Sequence, residues 1–288
     1  MTRKPLLRFC RRNLLRLFWL ASLIPAVLFS VKCGSWDLQV SWSEASAAIS
    51  GNSSEIKILM IRHLLLPRSL GAVALGVILG ILARKPQLSG SRGNWLIFDA
   101  SAWASAVMWL LTSAGFHTGT TLMLTLPAVW GYLKLLKKLP FFFSGTILLV
   151  LIGGTVPSGN GKTLFSTLSG DLFWCQSEVL TFAVLLILAA MLADRLRKIA
   201  FLSDCTLTLN ITAAALLAGA VPGISILSRS KNFPPWWTSA VTLLFFDTIL
   251  RQFSHAPGAG LLLLLAGCAS SIWEIRQKKI RTSSTDAE

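Results

Sequence analysis

The residues that come closest to a chemical motif are Gly161-Lys162-Thr163, which match the end of a phosphate-binding P-loop. In a P-loop, backbone amides cradle the phosphates, the lysine reaches a phosphate and the hydroxyl binds Mg²⁺. The motif also needs an earlier glycine, and that position is Val156. It must further follow a strand, whereas the preceding run FFFSGTILLVLIGGTV has the composition of a membrane helix. We therefore reject Lys162 as a nucleotide ligand and interpret the segment as a solvated turn.

Other reactive residue types are scattered along the chain. The three histidines lie far apart, and the five cysteines have neither metal-ligand nor redox spacing; these residues are His63, His117, His255, Cys10, Cys33, Cys175, Cys205 and Cys268. No acid–histidine–serine arrangement accompanies them. We therefore predict no catalytic residues, no metal site and no cofactor, and we expect that the chain is not an enzyme.

Composition indicates a membrane protein. Of the 288 residues, 53% are hydrophobic and 14% are charged, and the mean hydropathy is +0.65. A soluble domain has about 25% charged residues. The net charge of +15 falls in short basic clusters between apolar runs, which is typical of cytoplasmic loops that face anionic lipid. The basic residues form no stripe interleaved with aromatics, so we predict no nucleic-acid partner.

The elements that must position any functional residue are membrane-spanning helices, each of about 20 mostly apolar residues. Nine stretches qualify: 14–33, 64–83, 95–115, 118–136, 140–156, 179–194, 205–221, 236–250 and 258–275. The N-terminus resembles a signal peptide, but no small-x-small cleavage site follows it. We predict an uncleaved first helix behind a basic cytoplasmic segment, 1–13, and a basic and polar tail, 276–288.

Charge at the two ends of the chain sets the number of crossings. Both ends are basic, so the positive-inside rule places both termini in the cytoplasm and requires an even count. Pro222-Gly223 breaks the seventh helix, and the run ISIL within 221–232 can carry the chain back. We predict an all-α polytopic membrane protein with one transmembrane domain, 1–288. Its bundle has about ten helices, nine clear and one abbreviated. Regions 34–63 and 157–178 then face outward.

Two aspartates lie inside the predicted spans. An intramembrane acid is a candidate proton-relay or ion site, because burying its charge is costly. For Asp247 the alternative is a structural carboxylate capped by a nearby hydroxyl or by Arg251, one turn later. Asp99 is expected to cap the start of a helix. The small residues after it predict a face for close packing: Ala100, Ser101, Ala102, Ala104, Ser105 and Ala106.

Five segments, in order, resemble the permease subunits of ABC importers for ferric siderophores, haem and cobalamin (the FecCD-type family). They are IRHLLLPRSLGAVALG with a later glutamine, STLSGDLFW, LAGAVPGISIL, LLFFDTILR and the proline-glycine before the last helix. The resemblance runs from about residue 40 to 276. The positions that match family motifs are Pro67, Arg68, Gly76, Gln87, Ser169, Gly170, Pro222, Gly223, Asp247, Arg251, Pro257 and Gly258.

The resemblance implies a permease subunit of an ABC importer that forms the translocation path for an iron chelate, either a siderophore or haem, or for cobalamin. It implies three protein partners: a cytoplasmic ABC ATPase chain, a periplasmic or lipid-anchored substrate-binding protein, and a second permease subunit, either a copy or a paralogue. ATP hydrolysis would take place on the partner chain. The implied location is the bacterial cytoplasmic (inner) membrane, with both termini in the cytoplasm.

The sequence departs from the family on the predicted cytoplasmic side. The family's ATPase-coupling loop after the sixth helix is shortened here to RLRKIAFLSDCTLTLN, with candidate residues Arg195, Arg197, Lys198, Leu202, Ser203 and Asp204. Two alternatives stay open. The chain could be a degenerate or accessory permease subunit without independent transport, or a proton-coupled carrier that uses Asp247 or Asp99.

Overall fold

The computed structural model describes residues 4–33, 39–51, 54–82, 91–138, 144–155, 177–195, 200–219 and 234–253. Every regular element in these ranges is helical, which confirms the all-α prediction. In chain order they are α1 Lys4–Cys33, α2 Trp42–Ser50, α3 Ile56–Met60, a π-helical turn Ile61–Leu65, α4 Leu66–Leu82, α5 Ser91–Ser113, α6 Thr118–Lys138, α7 Ser144–Thr155, α8 Ser177–Arg195, α9 Ala200–Ala218 and α10 Pro235–Phe253.

Helices occur at eight of the nine predicted spans. The ninth, 258–275, and the abbreviated crossing, 221–232, lie outside the described residues. By length and composition, three described stretches can cross a membrane, Leu14–Cys33, Ile56–Leu82 and Trp95–Ser113, while Asp204–Ala218 is a shorter apolar helix. Long apolar side chains on α1 and α8 are exposed, as lipid contact requires: Leu14, Leu17, Phe18, Ile24, Leu185, Leu188 and Leu192. The chain is therefore a polytopic membrane protein.

α9 lies at the centre of the described helices, because it packs against α4, α5, α6 and α8. Two of its buried polar side chains bond to the helix's own carbonyl groups. Thr208 Oγ1 donates to the Asp204 carbonyl at 2.9 Å, and Asn210 Nδ2 donates to the Thr206 carbonyl at 2.8 Å. Such back-bonding satisfies a buried hydroxyl or amide without a partner on another helix.

α4 and α10 form an antiparallel pair whose backbones meet at Gly76. A Cβ at this position would lie 2.6 Å from the Ala240 nitrogen and 2.7 Å from the Ser239 carbonyl carbon. Small residues allow such close approach in membranes, where packing rather than the hydrophobic effect joins helices. Gly76 is one of the family-motif positions, and the approach to α10 is the physical reason that glycine stands there.

The π-helical turn before α4 is associated with Pro67. Proline has no amide hydrogen, and in an α-helix its ring would clash with the carbonyl four residues earlier, here that of His63. A wider π turn at Ile61–Leu65 accommodates this clash without ending the helical stretch. Pro67 is itself buried in the first turn of α4.

The small residues of α5 surround the helix instead of forming one face. Ala100, Ser101, Ala102 and Ala104 are each fully buried. Successive residues are turned by about 100°, so consecutive buried positions require neighbours on all sides. α6, α7 and α9 supply them. The prediction of close packing is confirmed, and the prediction of a single packing face is wrong.

We expect Gly76→Ala to destabilise the protein, because the new methyl group would meet the backbone of α10. Overpacking typically costs about 1–3 kcal/mol. Gly131→Ala on α6 is the matched control, since a Cβ at this position would have nothing within 4 Å. The measurement is the thermal unfolding midpoint of each purified variant in detergent. Equal midpoints for the two variants would contradict the close approach.

Candidate functional site

A polar cluster joins α1, α4 and α10 around Asp247, and we call it the Asp247 cluster. The Asp247 side chain is fully buried, and its Oδ1 accepts a hydrogen bond from Arg68 Nε at 2.9 Å. The same contact is an ion pair. Beside it, Ser30 Oγ lies 3.1 Å from Ser69 Oγ and 2.8 Å from Thr248 Oγ1. Two family motifs far apart in sequence therefore meet through their charged residues.

The charged partner of Asp247 comes from another helix. The sequence indicated a hydroxyl or Arg251, one turn later, whereas the structure pairs the carboxylate with Arg68 across 179 positions of chain. Arg251 lies in α10, and its side chain is outside the described residues. A signal for the observed pair was present in the sequence. An arginine and an aspartate in neighbouring apolar spans each need an opposite charge.

A second polar cluster joins α5, α6 and α7 around Asp99, and we call it the Asp99 cluster. Asp99 Oδ1 accepts from the Thr146 backbone N–H at 3.0 Å and from Thr146 Oγ1 at 3.2 Å. Its Oδ2 accepts from the hydroxyl of Tyr132, which itself accepts from the Gly145 N–H at 3.1 Å. The Tyr132 ring stacks on Trp103, with centroids 4.4 Å apart and planes 1° from parallel.

Asp99 caps a helix other than its own. α5 begins at Ser91 and Asp99 lies within it, so Asp99 does not cap the start of its own helix. The carboxylate instead accepts from the Thr146 N–H in the first turn of α7, where amides otherwise lack partners and favour negative charge. Tyr132, the chain's single tyrosine, was not predicted as part of a site. Its phenol needs a polar partner when buried in an apolar helix, and this was the available signal.

The two intramembrane aspartates therefore have protein partners in separate helix groups. Asp99 is held by α6 and α7, and Asp247 is held by α4. Proton relays place their acids or histidines in chains. The described residues contain no group of histidine, cysteine, aspartate and glutamate side chains that could hold a metal ion. Both carboxylates therefore have a structural role, because each one bonds to neighbouring helices.

The proposed coupling segment is mostly helical where it is described. Arg195 ends α8 with an exposed side chain, and α9 begins at Ala200. Leu202, Ser203 and Asp204 are therefore part of a helix, although the sequence predicted a loop there. Arg197 and Lys198 lie outside the described residues.

Several predicted positions lie outside the described residues. Pro67, Arg68, Gly76 and Asp247 are brought together along the α4–α10 pair. The positions outside are Gln87, Lys162, Ser169, Gly170, Pro222, Gly223, Pro257 and Gly258.

A short helix, α2, stands in the region that was predicted as a polar outer loop, 34–63. It begins with a capping box, in which Ser41 Oγ accepts from the Glu44 N–H at 3.2 Å and Glu44 Oε2 accepts from the Ser41 N–H at 2.7 Å. It ends at Gly51, whose φ is 76°. The serine and the glutamate three residues later were the missed sequence signal.

Glu44 also connects α2 to α3. Its Oε1 lies 2.6 Å from Lys57 Nζ. The hydrogen bond from Lys57, followed by those from Ser41, lowers the pKa of Glu44 from 4.5 to about 2. Opposite charge and hydrogen bonds to the carboxylate favour its ionised form. The ion pair therefore joins α2 to α3 at neutral pH.

We expect removal of either member of the Arg68–Asp247 pair to destabilise the protein strongly, because the other charge would stay buried and uncompensated. Breaking a buried pair typically costs about 3–5 kcal/mol. The measurement is a double-mutant cycle of unfolding midpoints with Arg68→Met, Asp247→Leu and the double variant. The double variant should be more stable than the sum of single losses predicts. Additive losses would show that the two groups are not coupled.

We expect the stabilising effect of Glu44 to depend on pH. Because folding lowers the pKa of Glu44, its contribution is complete above the ordinary value of 4.5 and is lost as the pH falls towards 2. Thermal midpoints of the wild type and Glu44→Gln, taken at pH 7 and pH 3, measure it. The wild type should be the more stable at pH 7, and the difference should shrink at pH 3. A difference of constant size would count against the pair.

Comparison with known proteins identifies the fold. Neither family models nor curated proteins give a match to this chain. The chain is similar to a solved structure described as "An inward-facing conformation of a putative metal-chelate type ABC transporter", with a TM-score of 0.59 and 15% identity. The match covers 91% of this chain and 98% of that one. Nearly the whole chain therefore has the helical membrane fold of that protein.

Proposed function

We propose that this protein is the membrane permease subunit of an ABC importer. The observation that carries the proposal is the fold likeness over 91% of the chain to a protein described as a metal-chelate type ABC transporter. Since fold alone does not determine function, the proposal also needs support from particular residues. We further propose that 1–288 forms a single transmembrane domain in the bacterial inner membrane, with both termini in the cytoplasm.

The contacts of the family-motif residues support the proposal independently. Arg68, from one motif, pairs with Asp247, from another, at 2.9 Å. Gly76, from the first motif, meets the backbone of α10 two turns before Asp247. The residues of these two segments satisfy one another's charge and shape. A chance resemblance would not be expected to produce such agreement.

The proposed cargo is an iron chelate, either a ferric siderophore or haem, or else cobalamin. A separate substrate-binding protein would deliver the cargo to the outer face, where α2 and α3 are held by Glu44 and Lys57. A second permease subunit, identical or paralogous, would complete the path. We propose no catalytic residues in this chain, and ATP would be hydrolysed by a cytoplasmic ATPase chain.

The mechanism that fits is alternating access. The helix bundle has two states, and each partner shifts their populations only through contacts that differ between the states. On the cytoplasmic side the ATPase would contact the α8–α9 connection. Arg195 is exposed there, at the last residue of α8. Closure of the ATPase dimer would move this connection and, through the central helix α9, the helices packed around it.

A second candidate function is an accessory permease subunit without independent transport. The observation in its favour is that Leu202, Ser203 and Asp204, which were predicted in the coupling loop, belong to a helix that begins at Ala200. An ATPase would have little loop to engage there. The proton-coupled carrier receives no comparable support, because both candidate carboxylates are held by partners within the described residues.

We expect ATP-dependent uptake from proteoliposomes that hold the chain together with its ATPase, binding protein and any second permease subunit. The probes are a radiolabelled ferric hydroxamate siderophore, haem and cobalamin. Arg195→Ala should reduce uptake with little change in stability, because its side chain is exposed at the proposed contact. Arg16→Ala, which alters an exposed arginine on α1, is the matched control and should leave uptake unchanged.

A stable and complete complex that hydrolyses ATP but takes up none of the three probes would overturn independent transport of these cargoes. Failure of the chain to co-purify with any ATPase would favour the accessory role. Uptake driven by a proton gradient without ATP, and abolished by Asp247→Asn, would instead establish the carrier.

A further inference from the structure

Most of the described helices fall into two groups of three, each held by one buried aspartate. α5, α6 and α7 meet at the Asp99 cluster and are called the Asp99 group. α1, α4 and α10 meet at the Asp247 cluster and are called the Asp247 group. The two groups connect mainly through α9, which packs against α4 from one group and against α5 and α6 from the other.

The Asp99 group is joined by charge-assisted hydrogen bonds. One carboxylate receives the Thr146 N–H, the Thr146 hydroxyl and the Tyr132 hydroxyl, which come from two other helices. Hydrogen bonds to an ionised group are roughly twice as strong as neutral ones. A Cβ at Gly145 would lie 2.9 Å from the backbone nitrogen of Trp103, so α7 also packs directly against α5.

The Asp247 group is joined along the length of its helices. Besides the Arg68–Asp247 pair, Trp237 Nε1 donates to Ser22 Oγ at 2.8 Å near the start of α10. Near its end, Gln252 Nε2 donates to the Cys33 carbonyl. α10 is thus bonded to α1 near both of its own ends.

The surface at which the two groups meet α9 differs from the polar clusters that join the helices within each group. The central helix α9 carries several small apolar side chains, all buried: Ala213, Ala214, Ala215 and Ala218. Two of its polar side chains, Thr208 and Asn210, bond to carbonyl groups of α9 itself. Packed helices can slide past one another over such a surface by small shear movements.

We propose that the Asp99 group and the Asp247 group move as two separate bodies against α9, and that Asp99 and Asp247 are positioning residues that keep each body intact. This inference extends the proposed transport function, and the role of the movement in transport depends on that function. The existence of the two bodies is measurable without any transport, so the two proposals can fail separately.

Amide hydrogen exchange of the full chain in lipid nanodiscs tests the two clusters. Asp99→Asn should speed exchange across 144–150 by about tenfold or more, because the α7 amides lose a charged acceptor. The same variant should leave segments 66–72 and 244–252 unchanged. Asp247→Asn should give the reverse pattern. A variant that speeds exchange equally in both groups would overturn the two bodies.

Two further variants keep the test informative if Asp99→Asn does not fold. Tyr132→Phe removes one donor and one acceptor from the Asp99 cluster and should speed exchange in 144–150 alone. Thr146→Val is the matched control, because it removes only the 3.2 Å hydroxyl bond and keeps the backbone N–H on Asp99. Unchanged exchange in Tyr132→Phe would show that the cluster does not hold α7.

Distances between spin labels test the relative movement. The labels replace exposed residues in a cysteine-free chain bound to its ATPase: Met123 on α6, Val150 on α7 and Phe245 on α10. Addition of ATP and vanadate should shift the 123–245 distance, which spans the two bodies, and leave the 123–150 distance unchanged. An equal shift in both pairs, or a shift in neither, would overturn the proposal.

Discussion

The structure depends on one constraint: a carboxylate at membrane depth must find its partners inside the protein. Water cannot supply them there, and an uncompensated charge is costly. Asp99 and Asp247 meet the constraint in different ways. Asp247 takes a full opposite charge from Arg68, whereas Asp99 takes hydrogen bonds from a phenol and from the first turn of α7. Each solution requires residues from at least two helices, so satisfying the acid also fixes how those helices are arranged.

Shape complements these polar contacts. Gly76 and Gly145 stand where a neighbouring helix comes closest, and in both places a methyl group would overlap the neighbour's backbone. Each glycine is on a helix that also takes part in a polar cluster. The polar bonds determine which helices are neighbours. The glycines allow these helices to approach closely enough for the bonds to form. Neither kind of residue would be sufficient alone, since packing in a membrane gains nothing from removing water.

The sequence predicted the fold class and most helix positions because long apolar stretches are a local property. It also identified Arg68, Gly76 and Asp247 as motif residues. It did not predict that Arg68 and Asp247 pair, because that depends on which helices are neighbours. For the same reason the helix capped by Asp99 could not be identified. The helix α2 was overlooked although its capping box is local, since a search for apolar length does not detect a polar helix of nine residues.

The separation of Arg68 from Asp247 along the chain has a consequence for biosynthesis. The two residues are 179 positions apart, so at a translation rate of about 5–20 residues per second roughly 10–40 seconds pass before the partner exists. During this interval Arg68 must reside in the membrane without the Asp247 carboxylate. Arg68 lies within the 27-residue helical stretch Ile56–Leu82, and its long side chain allows the guanidinium to extend along the helix towards the polar headgroups in the meantime. The aspartate, whose short side chain cannot do so, is synthesised second, when its cation is already in place.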